Sequence, residues 1–293
     1  MNIIQVTQLT LLSLLAFAAN SVLCRLALYT EQVHPLDFIA IRILSAALTL
    51  ALIVAIKNNT RLTKITKFGS YSGAIYLFIY AAGFSYAYVT LGTATGALIL
   101  FACVQFTMLL KGWLAGVRLR KQEFVGISLS LLGFLYFVYP ELEKPSLIGC
   151  VLMSLSGIAW GLYSLIGAKS TQPLLDTASN FIRLVPVVLI PLIWVYFSNG
   201  LHISWQGWLY TIGSGALASG VGYSVWYTVL PQLKPNIAAV SQLSVPIWAA
   251  LGGVVLVAEP IDLHLAISAS AILGGILLVI LTKKNPKNSI SQR

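Results

Sequence analysis

Two arginines inside long apolar segments are the chain's sharpest candidates for chemistry. Arg42 and Arg183 each follow an isoleucine and lie seven or eight residues into a segment, about 10 Å along a helix. If these segments cross a membrane, a guanidinium at that depth is costly and must face a cavity, a partner or the headgroups. Both are candidates for binding a carboxylate or phosphate, or for gating, with snorkelling or pairing with helix-end carbonyls as the alternative. Arg25 and Lys111 lie nearer segment ends, where snorkelling is expected.

Two glutamines, Gln105 and Gln242, lie well inside the fourth and ninth apolar segments. A buried amide needs a hydrogen-bond partner. That partner is either a neighbouring helix or a bound substrate, and the sequence leaves both open. Asn20 and Asn180 are weaker candidates of the same kind.

Aromatic side chains concentrate in the third and eighth apolar segments. Tyr76, Tyr80 and Phe84 recur every four residues and share one helix face, as Tyr223 and Tyr227 do. Such faces suit an amphipathic cavity for a solute with an apolar part, while helix packing and interface anchoring are the alternatives. The candidates for substrate contact are Tyr80, Trp160, Tyr163, Tyr223 and Trp226.

Two further residues are candidates for gating or structural roles. Pro246 would bend the ninth segment by freeing a backbone carbonyl. Glu259 lies at the predicted exterior end of that segment, where proton coupling and a role at a helix end are both open. No Asp or Glu lies at mid-bilayer depth, which argues against a carboxylate proton relay there. We expect no catalytic residues, metal or cofactor, and a Walker-type phosphate loop is absent.

Long apolar helices must position these residues. The chain has 293 residues, of which 58% are apolar and 9% charged, with a mean hydropathy of +0.88; soluble proteins average about 25% charged residues. A crossing helix needs about 20 apolar residues. The sequence therefore predicts an all-α integral membrane protein with ten transmembrane helices, near residues 6–29, 35–56, 68–90, 92–116, 122–139, 146–168, 175–197, 207–230, 235–257 and 263–282.

The net charge of +10 is mainly a topology signal. With the N-terminus inside, thirteen Lys and Arg residues lie on the cytoplasmic side and only Lys144 lies outside. Lys- and Arg-rich loops stay in the cytoplasm, so both termini are expected there, in a multi-pass protein of the cytoplasmic (inner) membrane. The lipid bilayer is then a partner and nucleic acid is not. The three cysteines lie in apolar segments and are expected to pack rather than form disulfides.

The two halves of the chain resemble each other at an offset of 141 residues. Arg42 aligns with Arg183, Tyr86 with Tyr227, and further matches hold the same offset without a gap. Each half has five spans, so the second half enters the membrane from the opposite side. Such inverted repeats are characteristic of secondary transporters. The predicted units are a five-helix repeat at 1–140, an inverted five-helix repeat at 141–283 and a basic cytoplasmic tail at 284–293.

Several stretches resemble the EamA-type transporters of the drug/metabolite transporter superfamily. From Gly222 to Val279, the marks of its second repeat are Pro246 in a span, Glu259 thirteen residues later and Gly274-Gly275 in the closing helix. "HPLDFIAIR" resembles the family's entry to the second span, and "GIAWGLYSL" the start of its second repeat.

The first repeat departs from this pattern, because Gln105 and Arg118 stand at the positions matching Pro246 and Glu259. The resemblance implies ten helices, both termini inside and a central cavity lined mainly by spans 1, 3, 4, 6, 8 and 9. It also implies export or exchange of small metabolites, without naming the substrate.

The predicted function is secondary transport of a small organic metabolite (an amino acid, an amine or a drug-like solute) by alternating access, in the direction of export. We therefore expect the chain to be an efflux permease and not an enzyme. The alternatives are a receptor or scaffold without transport and, with less support, an intramembrane enzyme. A homodimer is compatible with the sequence.

Overall fold

The predicted apolar segments form helices throughout the part of the chain that the structure describes. A computed structural model describes residues 1–58, 65–114, 121–138, 147–233, 241–242 and 244–282. The predicted boundary at 140/141, Arg118 and the tail at 284–293 lie outside these residues.

Ten helices of more than ten residues occur within the described ranges. The first five are α1 (Ile3–Thr30), α2 (Pro35–Asn58), α3 (Tyr71–Thr90), α4 (Thr93–Leu114) and α5 (Lys121–Val138). The second five are α6 (Leu147–Gly167), α7 (Pro173–Asn199), α8 (205–229), α9 (Val245–Val257) and α10 (Leu263–Thr282). This confirms the all-helical prediction for the described residues.

Six of these helices are long and apolar enough to cross a membrane. They are α1, α2, α3, α4, α6 and α7. The apolar runs of α5, α9 and α10 are shorter among the described residues, and α8 changes its helical type along its length. The structure thus supports a multi-pass membrane protein.

Polar side chains at the helix starts define where several helices begin. Asn2 and Gln5 form a reciprocal capping box at the start of α1. Ser70 accepts a hydrogen bond from Gly73 N at 3.0 Å at the start of α3, and Asp262 accepts one from Leu265 N at 2.7 Å before α10. These bonds satisfy backbone donors that a helix leaves unpaired at its first turn.

Three helices contain π-helical stretches, in which the backbone is wound more widely than in an α-helix. They lie at Leu26–Thr30 of α1, Gly213–Val221 of α8 and Gly253–Val257 of α9. Within α8, a Cβ on Gly215 would clash with the backbone of Arg42. Glycine therefore lets the π-helical stretch of α8 pack directly on α2. Such stretches are frequent at functional sites.

The packing of the helices has a regular pattern. α2 packs on α7, α4 on α9 and α5 on α10, so that each of these helices meets the one five places further on. The other main contacts come in pairs that are related by adding five to each helix number and counting on from α10 to α1. These pairs are α3–α6 with α1–α8, α4–α6 with α1–α9, and α2–α8 with α3–α7. Helices α1, α3, α6 and α8 thereby gather at the centre of the bundle.

The outward faces of the helices are strongly apolar. Leu48 and Ile56 on α2 and Ile190, Trp194 and Phe197 on α7 are all exposed. Soluble proteins rarely expose contiguous apolar surface on this scale. The exposed faces therefore fit contact with lipid, and the protein is a multi-pass membrane protein.

Candidate functional site

Arg42 lies in the interior of the helix bundle and is 1% exposed. Its Nη2 donates to the Tyr80 hydroxyl at 3.1 Å, and its Nε makes a longer bond to Ser219 Oγ at 3.4 Å. Its guanidinium carbon lies 5.2 Å and 4.9 Å from the ring centroids of Tyr80 and Phe84, within cation–π range. Nη1 is buried and has no hydrogen-bond partner within the part of the chain that the structure describes.

The Tyr80 hydroxyl joins Arg42 to a second polar side chain. It accepts a hydrogen bond from Asn20 Nδ2 at 3.1 Å as well as the one from Arg42. Asn20 Oδ1 in turn accepts from Ser214 Oγ at 2.6 Å. Ser214 and Ser219 both belong to the π-helical stretch of α8. The network therefore connects four helices, α1, α2, α3 and α8.

Aromatic rings form one connected cluster beside this network. Trp160 lies 4.8 Å from Tyr80, 5.5 Å from Tyr163 and 5.2 Å from Tyr223, measured between ring centroids. Phe17 of α1 adds edge contacts at 5.7 Å to both Tyr223 and Trp226. All of the aromatic candidates from the sequence thus lie together and are buried: Tyr80, Trp160, Tyr163, Tyr223 and Trp226.

A small cavity of about 20 Å³ lies between the network and the rings. Its walls come from α1, α3, α4, α6 and α8, and include Asn20, Tyr80, Trp160 and Tyr223. This volume has room for about one water molecule, whereas pockets for organic ligands usually measure about 300–1,000 Å³. An organic solute therefore fits only after the surrounding helices move apart.

The two glutamine candidates do not border this cavity. Gln105 is buried on α4, and Gln242 is partly buried in the short helical piece at 241–242. The cavity wall on α4 is formed instead by Leu100 and Phe101. The structure therefore places the aromatic candidates and Arg42 together, and the glutamines apart from them.

Arg183 lies in different surroundings from Arg42, although the two align in the repeat. It is partly exposed, and its Nη2 donates to the Thr66 carbonyl at 3.0 Å. Its guanidinium lies 5.0 Å from the Tyr71 ring and makes a 3.4 Å bond to Asn180. Arg183 thus holds the segment before α3 against α7 and does not reach the central cavity.

Arg25 and Glu259 form an ion pair at the end of the bundle remote from Met1. Arg25 Nε lies 2.9 Å from Glu259 Oε1, and the side chains are 8% and 17% exposed. Arg25 Nη1 also donates to the carbonyls of Tyr88 and Val89 at the end of α3. Glu259 Oε2 accepts from Thr93 N at 2.6 Å at the start of α4. Snorkelling was the wrong prediction for Arg25, because Glu259 and these carbonyls compensate its charge inside the protein.

Pro246 lies in the first turn of α9, directly after a turn at Ser244. Proline is tolerated there because the backbone N–H groups of a first helical turn have no partner within the helix, so the N–H that proline lacks is not missed. Within the described ranges, the helix that contains Pro246 begins at Val245, so Pro246 lies in its first turn. Among the described residues, no cluster of His, Cys, Asp or Glu is suited to hold a metal ion.

Sequence reasoning missed several members of the central site, among them Phe17, Ser214 and Ser219. A phenylalanine in an apolar run gives no distinguishing signal. The small-residue run "GSGALASG" in α8 is a usable signal, since small residues allow helices to approach closely.

Comparisons with known proteins agree with this architecture. A protein of Pseudomonas aeruginosa, described as uncharacterized, is 45% identical over 272 residues, which cover 93% of each chain. An uncharacterized transporter of Archaeoglobus fulgidus is 24% identical, over 84% of this chain and 88% of its own length. A protein of known crystal structure shares the fold with a TM-score of 0.65 at 18% identity, over 94% of this chain and 98% of that one.

The model of one family matches the chain twice in succession, over residues 6–139 and 147–281. Together these matches cover nearly the whole sequence. The chain therefore belongs to the EamA-like transporter family.

Proposed function

We propose that this protein is a secondary transporter that moves a small organic metabolite across the cytoplasmic membrane by alternating access, in the direction of export. The family supports transport of small solutes. The observation that carries the proposal is the buried polar and aromatic centre around Arg42 and Trp160, enclosed by helices from both halves. The proposal does not include nucleic acid as a binding partner. A second copy of the chain is compatible with the proposal but is not required by it.

The helix packing supports two structural repeats of opposite orientation. Shifting every helix number by five converts the contact α3–α6 into α8–α1 and the contact α4–α6 into α9–α1. A pseudo-two-fold axis in the membrane plane relates the halves of many transporters in this way, with the binding site between them near the midplane. The central cavity lies between such matched helices, where rocking of one half against the other would open it from alternate sides.

The ion pair between Arg25 and Glu259 is the proposed closure on the outer side. It joins the end of α1 to the residues after α9, and its hydrogen bonds reach the end of α3 and the start of α4. A recess of about 320 Å³ borders the pair. Breaking the pair would separate the helix ends that cover the central cavity. Glu259 thus has a gating role in this proposal, and Pro246 a structural one at the start of α9.

The orientation has its own test. With both termini in the cytoplasm, a cysteine placed at either terminus should react with a membrane-impermeant thiol reagent only after the cells are opened. The background variant for this test lacks the native Cys24, Cys103 and Cys150, which are buried. Labelling of the two termini from opposite sides would contradict the ten-span arrangement.

The function is tested by untargeted metabolite profiling of cells that lack or overproduce the protein. Export predicts a solute that accumulates inside the cells without the protein and outside the cells that overproduce it. The matched control overproduces Trp160→Ala, because this change removes the ring that contacts Tyr80, Tyr163 and Tyr223. Profiles that are identical for all strains would contradict the proposal.

A further inference from the structure

We propose that the transported solute carries a carboxylate that pairs with Arg42 and an apolar body that packs on the rings of Phe17, Trp160 and Tyr223. This inference rests on the transport function proposed above and specifies its substrate class. A carboxylate would be recognised where Arg42 and Asn20 now meet the Tyr80 hydroxyl. Amines and other cations would be excluded from the same place.

The first argument is the uncompensated charge of Arg42. An arginine guanidinium stays protonated in proteins, and burying an unpaired charge is costly. In the part of the chain that the structure describes, the one ion pair is that of Arg25 with Glu259. Among the described residues, the partners of Arg42 are neutral: the Tyr80 and Ser219 hydroxyls and two rings. An anionic solute would supply the missing charge.

A comparison of the three described arginines strengthens this point. Arg25 is paired with a carboxylate and two carbonyls, and Arg183 reaches a carbonyl beside solvent. Arg42 is the most buried of them, and none of the described residues forms a hydrogen bond with its Nη1. A structural arginine would be expected to have these donors satisfied. Tyr80 separates Arg42 from the central cavity, so this donor would become available to a ligand when Tyr80 moves aside.

The second argument is the hydrogen bonding of the Tyr80 hydroxyl. Its oxygen accepts from Arg42 Nη2 and from Asn20 Nδ2, both at 3.1 Å. Two converging N–H donors of this kind also suit one oxygen of a carboxylate, which is acceptor-only. If the Tyr80 side chain rotates away, a carboxylate can replace its hydroxyl and gain charge-assisted bonds. Tyr80 also lines the central cavity, so the movement that opens the cavity would expose both donors.

The number of cations favours a carboxylate over a phosphate. A phosphate monoester carries close to two negative charges near neutral pH. Arg42 is the only cation among the described residues that contact Tyr80 or Phe84. A monoanion matches this single charge. The rings on the other side of the cavity suit an aromatic or branched aliphatic body, because they offer apolar faces.

Matched ligand series test the inference on purified, full-length protein. Each series keeps one body (phenylpropyl, indolylpropyl or isobutyl) and changes the head group from carboxylate to amide to ammonium. The readout is the concentration-dependent rise of the thermal unfolding midpoint, which reports binding to the folded protein. We expect at least one carboxylate to raise the midpoint, while its amide and ammonium counterparts do not.

Variants tie this preference to Arg42. Arg42→Gln should weaken binding of the carboxylate by about 10- to 100-fold, the usual effect of losing a hydrogen bond to a charged group. Arg42→Lys should keep the preference for carboxylate over amide with lower affinity, because it retains the charge without the planar fork. The matched control is Lys57→Gln, which removes an exposed cation from the same helix and should leave the preference unchanged.

Three outcomes would overturn the inference: amides that bind as well as carboxylates, a preference that persists in Arg42→Gln, or no carboxylate that binds to the wild type. The binding test does not depend on transport. Carboxylate binding that requires Arg42 in a protein that moves no solute would leave this inference standing and remove the transport function. Transport of neutral or cationic solutes at wild-type rates by Arg42→Gln would leave the transport function standing and remove this inference.

Discussion

Replacing Glu259 by glutamine would remove the negative charge of the ion pair with Arg25 and keep the shape of the side chain. The new amide oxygen can still accept the hydrogen bond from Thr93 N, which Glu259 Oε2 accepts at 2.6 Å. Arg25 also retains its bonds to the carbonyls of Tyr88 and Val89. The substitution Glu259→Gln therefore removes mainly the electrostatic part of the proposed outer closure.

The burial of the two side chains sets the size of the effect. Exposed ion pairs contribute about 0–1 kcal/mol, whereas breaking a fully buried pair costs about 3–5 kcal/mol. Arg25 and Glu259 are 8% and 17% exposed, and Arg25 keeps other partners. We therefore expect a loss of about 2 kcal/mol from the closed form, which shifts the equilibrium toward the outward-open form about 30-fold.

Labelling of Ser21→Cys measures this shift, because Ser21 borders the central cavity. A membrane-impermeant maleimide is added from outside to cells whose protein lacks the native cysteines. We expect Glu259→Gln to raise the labelling rate about 30-fold. The control is Glu31→Gln, which removes a partly exposed carboxylate that accepts a bond from Ser204. An unchanged rate, or an equal increase in the control, would refute the gating role of the pair.

Three further predictions concern stability, measured as thermal or denaturant unfolding of the purified protein. Arg42→Gln should raise the stability of the ligand-free protein by about 1 kcal/mol, because it removes an unpaired buried charge; a lower stability would show that Arg42 is structural. Gly157→Ala should lower stability by about 1–3 kcal/mol, because a Cβ there would lie 2.6 Å from the Leu100 carbonyl oxygen, whereas Gly274→Ala, with nothing within 4 Å, should not. Equal effects of the two glycine substitutions would contradict the close packing of α6 on α4. Arg183→Gln should lower stability by about 1 kcal/mol through loss of the bond to the Thr66 carbonyl, and full stability of this variant would mean that the contact contributes nothing.

The helices were predictable from the sequence because each is a long apolar run with turn residues at its ends. Arg42 was predictable as an unusual residue for the same reason: its charge interrupts an apolar segment. The aromatic cluster was only partly predictable. Helical spacing places Tyr80 and Phe84 on one face, but their contact with Trp160 depends on how separate helices pack.

The partners of the charged residues could not be predicted from one sequence. Arg25 and Glu259 are 234 residues apart, and Arg42 and Ser219 are 177 apart. The repeat even suggested equal roles for Arg42 and Arg183. Their surroundings differ because α2 packs on the π-helical stretch of α8, whereas Arg183 meets the segment around Thr66. Sequence equivalence in a repeat therefore does not determine burial.

Solute counterflow in proteoliposomes tests the central claim most directly. Vesicles holding purified protein are loaded with an unlabelled candidate solute from metabolite profiling and diluted into the same solute carrying a radioactive label. The account predicts transient accumulation of label with the wild-type protein and little or none with Arg42→Gln, which is compared at equal amounts of folded protein. Uptake of every profiled candidate at the level of protein-free vesicles, by wild-type protein shown to be folded, would contradict it.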